Sequence, residues 1–131
     1  MKKTGVLNRD LSELIASMGH RDFLVVADAG LPIPPGVRCI DLSVSRGIPA
    51  FCDVLRAVLS ELQVEEAMIA SEMVRHSPQV LGQVRELLGS TPIDSASHEE
   101  FKSRTAQARA IVRTGEFTPF ANVILVSGVV F

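Results

Sequence analysis

The chain contains no tryptophan and no tyrosine, so its only benzenoid rings are six phenylalanines. No phenolic hydroxyl is available to hold a polar ligand. Cysteine is scarce too. Cys39 and Cys52 form no CxxC pair and belong to no cysteine-rich framework, so both read as reduced thiols and a disulfide scaffold is excluded. Charge of one sign is also lacking. Thirteen Lys and Arg against 15 Asp and Glu leave a net charge of -2 with the signs interspersed, which offers no footprint for nucleic acid or an anionic membrane. No apolar window has the length needed to cross a bilayer. Lys2 and Lys3 open the chain, but Arg9, Asp10 and Glu13 interrupt any leader-like apolar run. The expected location is cytoplasmic.

Several site signatures are missing as well. There is no GxxxxGK[ST] phosphate loop, and no GxGxxG follows the first strand. The histidines, at 20, 76 and 98, have no HxxxH or Cys/His ligand spacing, so no metal is expected. Ser71 and Ser127 lack a nucleophile-elbow setting. No cofactor motif is present.

What is there is a well-patterned globular chain. A length of 131 residues with 47% apolar content suffices for one domain, 1–131, around one core. The stretch from Gly19 to Pro32 organises it. Phe23 to Ala27 has no polar face, as expected of a strand covered on both sides in a parallel sheet. His20 stands just before that strand and Asp28 just after it, at the carboxyl end where open α/β sheets place ligands. Gly30 and the prolines at 32, 34 and 35 then define a loop.

Before this stretch, Asn8 caps a helix with Leu11, Leu14, Ile15 and Met18 on one stripe, and Gly19 is expected to supply a left-handed stop. His20 would then sit at the negative end of that helix's dipole. After it come a short strand over 39–42 and a helix led by Pro49, with Val54, Leu55, Val58, Leu59 and Leu62 inward. A strand over 67–70 ends at Ser71-Glu72. Ser77-Pro78 opens a helix with Val80, Leu81, Val84, Leu87 and Leu88 inward, closed by Gly89. His76, just ahead of it, reads as a solvated residue.

Ile93 to Ser95 is a further strand candidate. Ser97-His98-Glu99-Glu100 matches a capping box, which makes His98 the first residue of a helix. Strands at 110–112 and 123–126 enclose the polar turn from Arg113 to Asn122, where Arg113 and Glu116 read as an internal ion pair. The apolar Val129-Val130-Phe131 fits either a subunit contact or a last core strand. Strands alternating with helices predict an α/β fold with a largely parallel central sheet flanked by helices. His20, Asp28, His98 and the 113–122 turn remain as the polar groups suited to acid–base work on a small polyol or carbonyl compound.

Five ordered blocks extend this reading: Gly5-Val6-Leu7-Asn8, Met18-Gly19-His20, Val26 to Pro34, Ser97-His98-Glu99-Glu100-Phe101 and Ile111 to Pro119. On these blocks the whole chain resembles the ribose pyranase/fucose mutarotase family, with the Gly-Leu-Pro-Ile-Pro loop closer to the ribose branch. The resemblance implies a ribose pyranase-like fold and cofactor-free interconversion of the pyranose and furanose forms of D-ribose. It further implies that His20 is the catalytic acid, that Asp28 and His98 bind the sugar, and that Phe120-Ala121-Asn122 is a sugar-binding segment. A homo-oligomer is implied too, commonly a decamer of two pentameric rings with sites near subunit contacts. Where the family usually carries a tyrosine, this chain has Phe120. That departure keeps two other readings open: a non-catalytic sugar-binding or transport-associated subunit, and a mutarotase for a different sugar, including a phosphorylated one held by Arg113.

Overall fold

A computed structural model describes residues 1–131. In chain order the elements are α1 (Arg9–Ser17), β1 (Phe23–Ala27), β2 (Arg38–Asp41), α2 (Phe51–Leu59), β3 (Val64–Ala70), α3 (Glu72–His76), α4 (Pro78–Leu88), β4 (Ile93–Ala96), α5 (His98–Arg104), a 3-10 turn (Thr105–Gln107), β5 (Ala110–Arg113) and β6 (Val123–Ser127). The six strands form one sheet in the order β2-β5-β1-β6-β3-β4. β1 pairs in parallel with β5, β5 with β2, and β3 with β4. Only β6 runs the other way, antiparallel to both β1 and β3. The largely parallel α/β architecture expected from the sequence is the one observed.

β1 is central because its residues can be buried on both faces. Leu24, Val25, Val26 and Ala27 are fully buried. Leu24 and Val26 join the larger core cluster of 24 residues, which packs α1, α2 and α4 on one face. Val25 and Ala27 face the other way, into a cluster of 7 that includes Leu31 and Phe101. That second face is covered thinly, by α5 and the proline loop after Gly30. A strand without polar alternation is what such two-sided burial requires.

The helix ends differ from expectation in instructive ways. α1 stops at Met18 in an extended conformation (ψ 130°), and the left-handed residue is Arg21 (φ 70°), not Gly19. Asp22 makes Gly19 unnecessary as a stop, because its carboxylate accepts the Gly19 N–H at 2.8 Å. Pro49 lies ahead of α2, which starts at Phe51. α3, a single short helix after β3, was not foreseen, because Glu72 to His76 is too short to show periodicity. Val129 to Phe131 is exposed and lies outside every strand, so the last-core-strand alternative is overturned.

The turn after β5 is held by close backbone packing. Gly115 donates its N–H to the Pro49 carbonyl at 2.9 Å and accepts from Gly47 N–H at 2.6 Å. A Cβ placed on Gly115 would collide with the carbonyl oxygens of Ser45 and Ile48, so only glycine fits. Overpacking of this kind costs about 1–3 kcal/mol. Gly115→Ala is therefore expected to lower unfolding stability by that amount in urea titration; an unchanged midpoint would mean that the 45–49 loop yields freely.

Candidate functional site

The carboxyl ends of β1, β3, β4 and β5 and the start of the reversed β6 share one edge of the sheet. Asp28, Glu72, His98, Arg113 and Asn122 therefore arrive at that edge from five different strand ends. The most direct junction is between Asp28 and Asn122, 94 residues apart in sequence. Asp28 N–H donates to Asn122 Oδ1 at 2.8 Å, and Asn122 Nδ2 donates to Asp28 Oδ2 at 3.0 Å. The other carboxylate oxygen, Oδ1, accepts the Gly30 N–H at 2.9 Å. Asp28 is thus fixed in one orientation while lone pairs remain for a ligand. Asn122 is fully buried, so it serves the site by holding Asp28.

His98 opens α5, as expected. Ser97 Oγ accepts the Glu100 N–H at 3.2 Å, but the reciprocal half of the capping box is absent. Glu72 instead accepts the His98 N–H at 2.8 Å, while Glu100 accepts from Arg104 at 3.1 Å. The His98 ring lies 5.0 Å from Phe120, edge to face, and 6.4 Å from Phe101, nearly parallel. Its Nδ1 is buried without a hydrogen-bond partner. Nε2 is therefore the ring nitrogen left to meet a ligand.

Phe120 is the strained member. Its φ of 61° is left-handed, a conformation that costs a residue with a Cβ about 1–2 kcal/mol. Ser77 Oγ, donating to the Pro119 carbonyl, and the Asn122 N–H, donating to the Phe120 carbonyl at 2.8 Å, hold the turn on either side. The result aims the ring over a hollow of about 200 Å³ shared with Asp28, Gly30, Leu31 and His98. A second hollow of about 350 Å³ adjoins it at Asp28 and Gly30 and runs towards Arg113, Glu116 and Phe117. Concave space of this size beside a few fixed polar groups suits a small ligand. Ala121 differs from the other predicted site residues: its methyl belongs to the core, so only its backbone borders the turn.

Arg113 and Glu116 do not pair with each other, contrary to the sequence reading. Arg113 donates to the Ala29 carbonyl at 3.0 Å, to Asp41 at 3.0 Å and to Ser43 at 2.9 Å. Glu116 accepts the Phe51 N–H at 3.1 Å, capping α2, and binds Thr118 through its other oxygen. Both are occupied in shaping the turn. Asp41 is held below the usual carboxylate range by Ser43 first and by Arg113 as well. No group of three or more His, Cys, Asp or Glu side chains is arranged to hold a metal ion.

His20 lies elsewhere. It precedes β1, so the whole strand separates it from Asp28; five residues at about 3.3 Å each make roughly 16 Å. The two residues expected to serve one sugar site therefore stand, within one chain, on opposite rims of the sheet. The reason is plain: a residue before a strand and a residue after it cannot meet when the strand is straight. At its own rim, His20 Nε2 stands 3.0 Å from Glu65 Oε2. Arg21 donates to Glu65 at 2.8 Å and to Glu66 at 2.6 Å. Glu65 is held below the usual carboxylate range by Arg21 first and then by His20.

Three contacts went unnoticed in the sequence. Glu65 is 45 residues from His20, with no spacing rule to link them. Glu72 follows a strand end and was within reach of the rule that places ligands at such ends. His76 is exposed, as expected, yet its ring lies 5.3 Å from Phe120, a contact made only because α3 exists.

The whole chain has counterparts among known proteins. Residues 1–130 match the RbsD / FucU transport protein family. D-ribose pyranase from Chloroflexus aggregans is 56% identical over 131 residues, covering 100% of both chains, and the D-ribose pyranase of Laribacter hongkongensis is 51% identical with the same coverage. Among solved structures, Bacillus subtilis RbsD complexed with D-ribose superposes with a TM-score of 0.97 at 46% identity over 100% of each chain. The fucose mutarotase of Streptococcus pneumoniae in complex with L-fucose gives 0.83 at 26% identity over 95% of each chain.

The Asp28–Asn122 junction generates a direct test. Asn122→Ala leaves the Asp28 N–H and one carboxylate oxygen without partners, at about 1–3 kcal/mol. Chemical denaturation should show a loss of that size, and a variant as stable as the parent would show that the pair contributes nothing.

Proposed function

This chain belongs to the RbsD / FucU transport protein family, and from that premise we propose that it is an isomerase interconverting the pyranose and furanose forms of D-ribose. The observation that carries the reading is the fixed Asp28 carboxylate beside His98 and Phe120, in a chain that follows ribose-bound RbsD along its whole length. The same reading takes residues 1–131 as one ribose pyranase-like domain.

Opening a cyclic hemiacetal needs a proton delivered to the ring oxygen and another removed from the anomeric hydroxyl. Closing through a different hydroxyl reverses both transfers. These steps are proton transfers alone and call on no cofactor. Asp28 accepts from sugar hydroxyls, His98 Nε2–H donates to them, and the Phe120 ring stacks on the sugar's apolar face. Asn122 keeps Asp28 in register. Held this way, the open aldehyde presents the correct hydroxyl for reclosure. His20 delivers the ring-oxygen proton as general acid.

Because His20 and Asp28 occupy opposite rims of one chain, the site is assembled from two subunits, His20 of one meeting the Asp28 cluster of another. Exposed apolar side chains, among them Val44, Phe117, Val130 and Phe131, support association of copies, and a decamer of two pentameric rings is the assembly proposed. Free Cys39 and Cys52 fit a reducing, cytoplasmic setting. A phosphorylated sugar finds little support, since the Arg113 guanidinium is already engaged by Asp41, Ser43 and Ala29.

Saturation-transfer NMR on D-ribose tests the proposal. The wild-type protein should exchange pyranose and furanose signals faster than buffer. His20→Ala should lose about 10²–10⁴-fold of that acceleration. Binding of ribose without accelerated exchange would replace the enzyme by a sugar-binding subunit, and full activity in His20→Ala would remove His20 from its role.

A further inference from the structure

We propose that Glu65, braced by Arg21, is the positioning residue for His20, fixing the imidazole so that Nδ1 is the atom that exchanges a proton with the sugar. This rests on His20 being the acid. The contact is made within one chain and uses both carboxylate oxygens, at 3.0 and 3.2 Å from Nε2. Arg21 donates to Glu65 Oε1 at 2.8 Å, so the carboxylate cannot swing away from the ring without losing a second partner.

The chemistry then follows from what a carboxylate can do. Glu65 lies below the usual carboxylate range, through Arg21 first and His20 second, and is ionised at neutral pH. An ionised carboxylate only accepts, so the ring atom facing it is an N–H. In neutral His20 the single ring proton therefore sits on Nε2, and Nδ1 presents a lone pair. When the ring is protonated, the added proton is on Nδ1, uncommitted to Glu65 and free to leave for the sugar. Nε2 never takes part in the transfer.

The backbone is built to keep this arrangement. Arg21 has a φ of 70°, a costly conformation for a residue with a Cβ, and such strain persists only where the surroundings impose it. Here the Arg21 N–H donates to the Ser127 carbonyl at 2.8 Å, and the Ser127 N–H returns to Asp22 at 2.9 Å. Asp22 is itself clamped by Gly19 N–H at 2.8 Å and by Arg109 at 2.6 Å. The 19–22 turn is thus tied to the end of β6, with the His20 side chain 53% exposed. A surface ion pair of ordinary kind is worth little and would not require a strained residue beside it.

The test is Glu65→Gln, compared with Glu13→Gln, which removes an unrelated surface pair with Arg38. Gln can offer Nε2 an NH2 as readily as an oxygen, so the ring loses its enforced tautomer. Ring ¹⁵N NMR of wild type should show His20 protonated on Nε2, and Glu65→Gln should show a mixture. Ribose exchange should fall about 10- to 100-fold in kcat, the range for a partner that orients a reacting group, with KM little changed. Glu13→Gln should match wild type. If wild type and Glu65→Gln share one tautomer and one kcat while His20→Ala is inactive, the Glu65 role is wrong and the His20 assignment survives. If His20→Ala retains activity, the underlying assignment fails instead.

Discussion

Two hydrogen bonds between Asp28 and Asn122 tie the end of the central parallel strand to the start of the one reversed strand. Much of the site depends on that tie. Reversal of β6 is what brings residues 113–122 back over the carboxyl rim, where a further parallel strand would have carried them away. Asn122 then reads both the backbone and the carboxylate of Asp28, converting a strand end into a fixed acceptor. Strain at Phe120 is the consequence of making so tight a return, and the buried Ser77 hydroxyl on the Pro119 carbonyl helps to hold it.

The rest of the rim is arranged around this junction by groups already engaged within the chain. Glu116 caps α2 and pins Thr118. Arg113 ties the loop after β1 to the end of β2. Glu72 secures the first N–H of α5 and so places His98. Charged residues that look catalytic in a list are here occupied with backbone, and the groups left for a sugar are few: Asp28, His98 and the face of Phe120.

The sequence exposed the elements better than the contacts. β1 was legible because five apolar residues without alternation can only be buried on both sides. α4 was legible because Pro78 and Gly89 bracket a clear stripe. Asp28 and His98 followed from their places at a strand end and a helix start. The pairing of Asp28 with Asn122, and of His20 with Glu65, was not legible, since each spans dozens of residues and depends on the strand order 2-5-1-6-3-4. The direction of β6 was equally hidden, because a run of four buried apolar residues reads the same in either sense. That His20 and Asp28 stand on opposite rims of one chain has a simpler reason: nearness in sequence across a strand means distance in space.

That separation makes the account a statement about pairs of chains, each supplying one half of a proton-transfer site. The direct measurement is ribose exchange by mixtures of two inactive variants, His20→Ala and Asp28→Ala, co-assembled from equal amounts. Each chain then lends its intact rim to a neighbour, and random assembly restores about a quarter of the sites in a symmetric oligomer. Recovery near that fraction is the predicted result. Mixtures as silent as the separate variants, from assemblies of wild-type size, would contradict it.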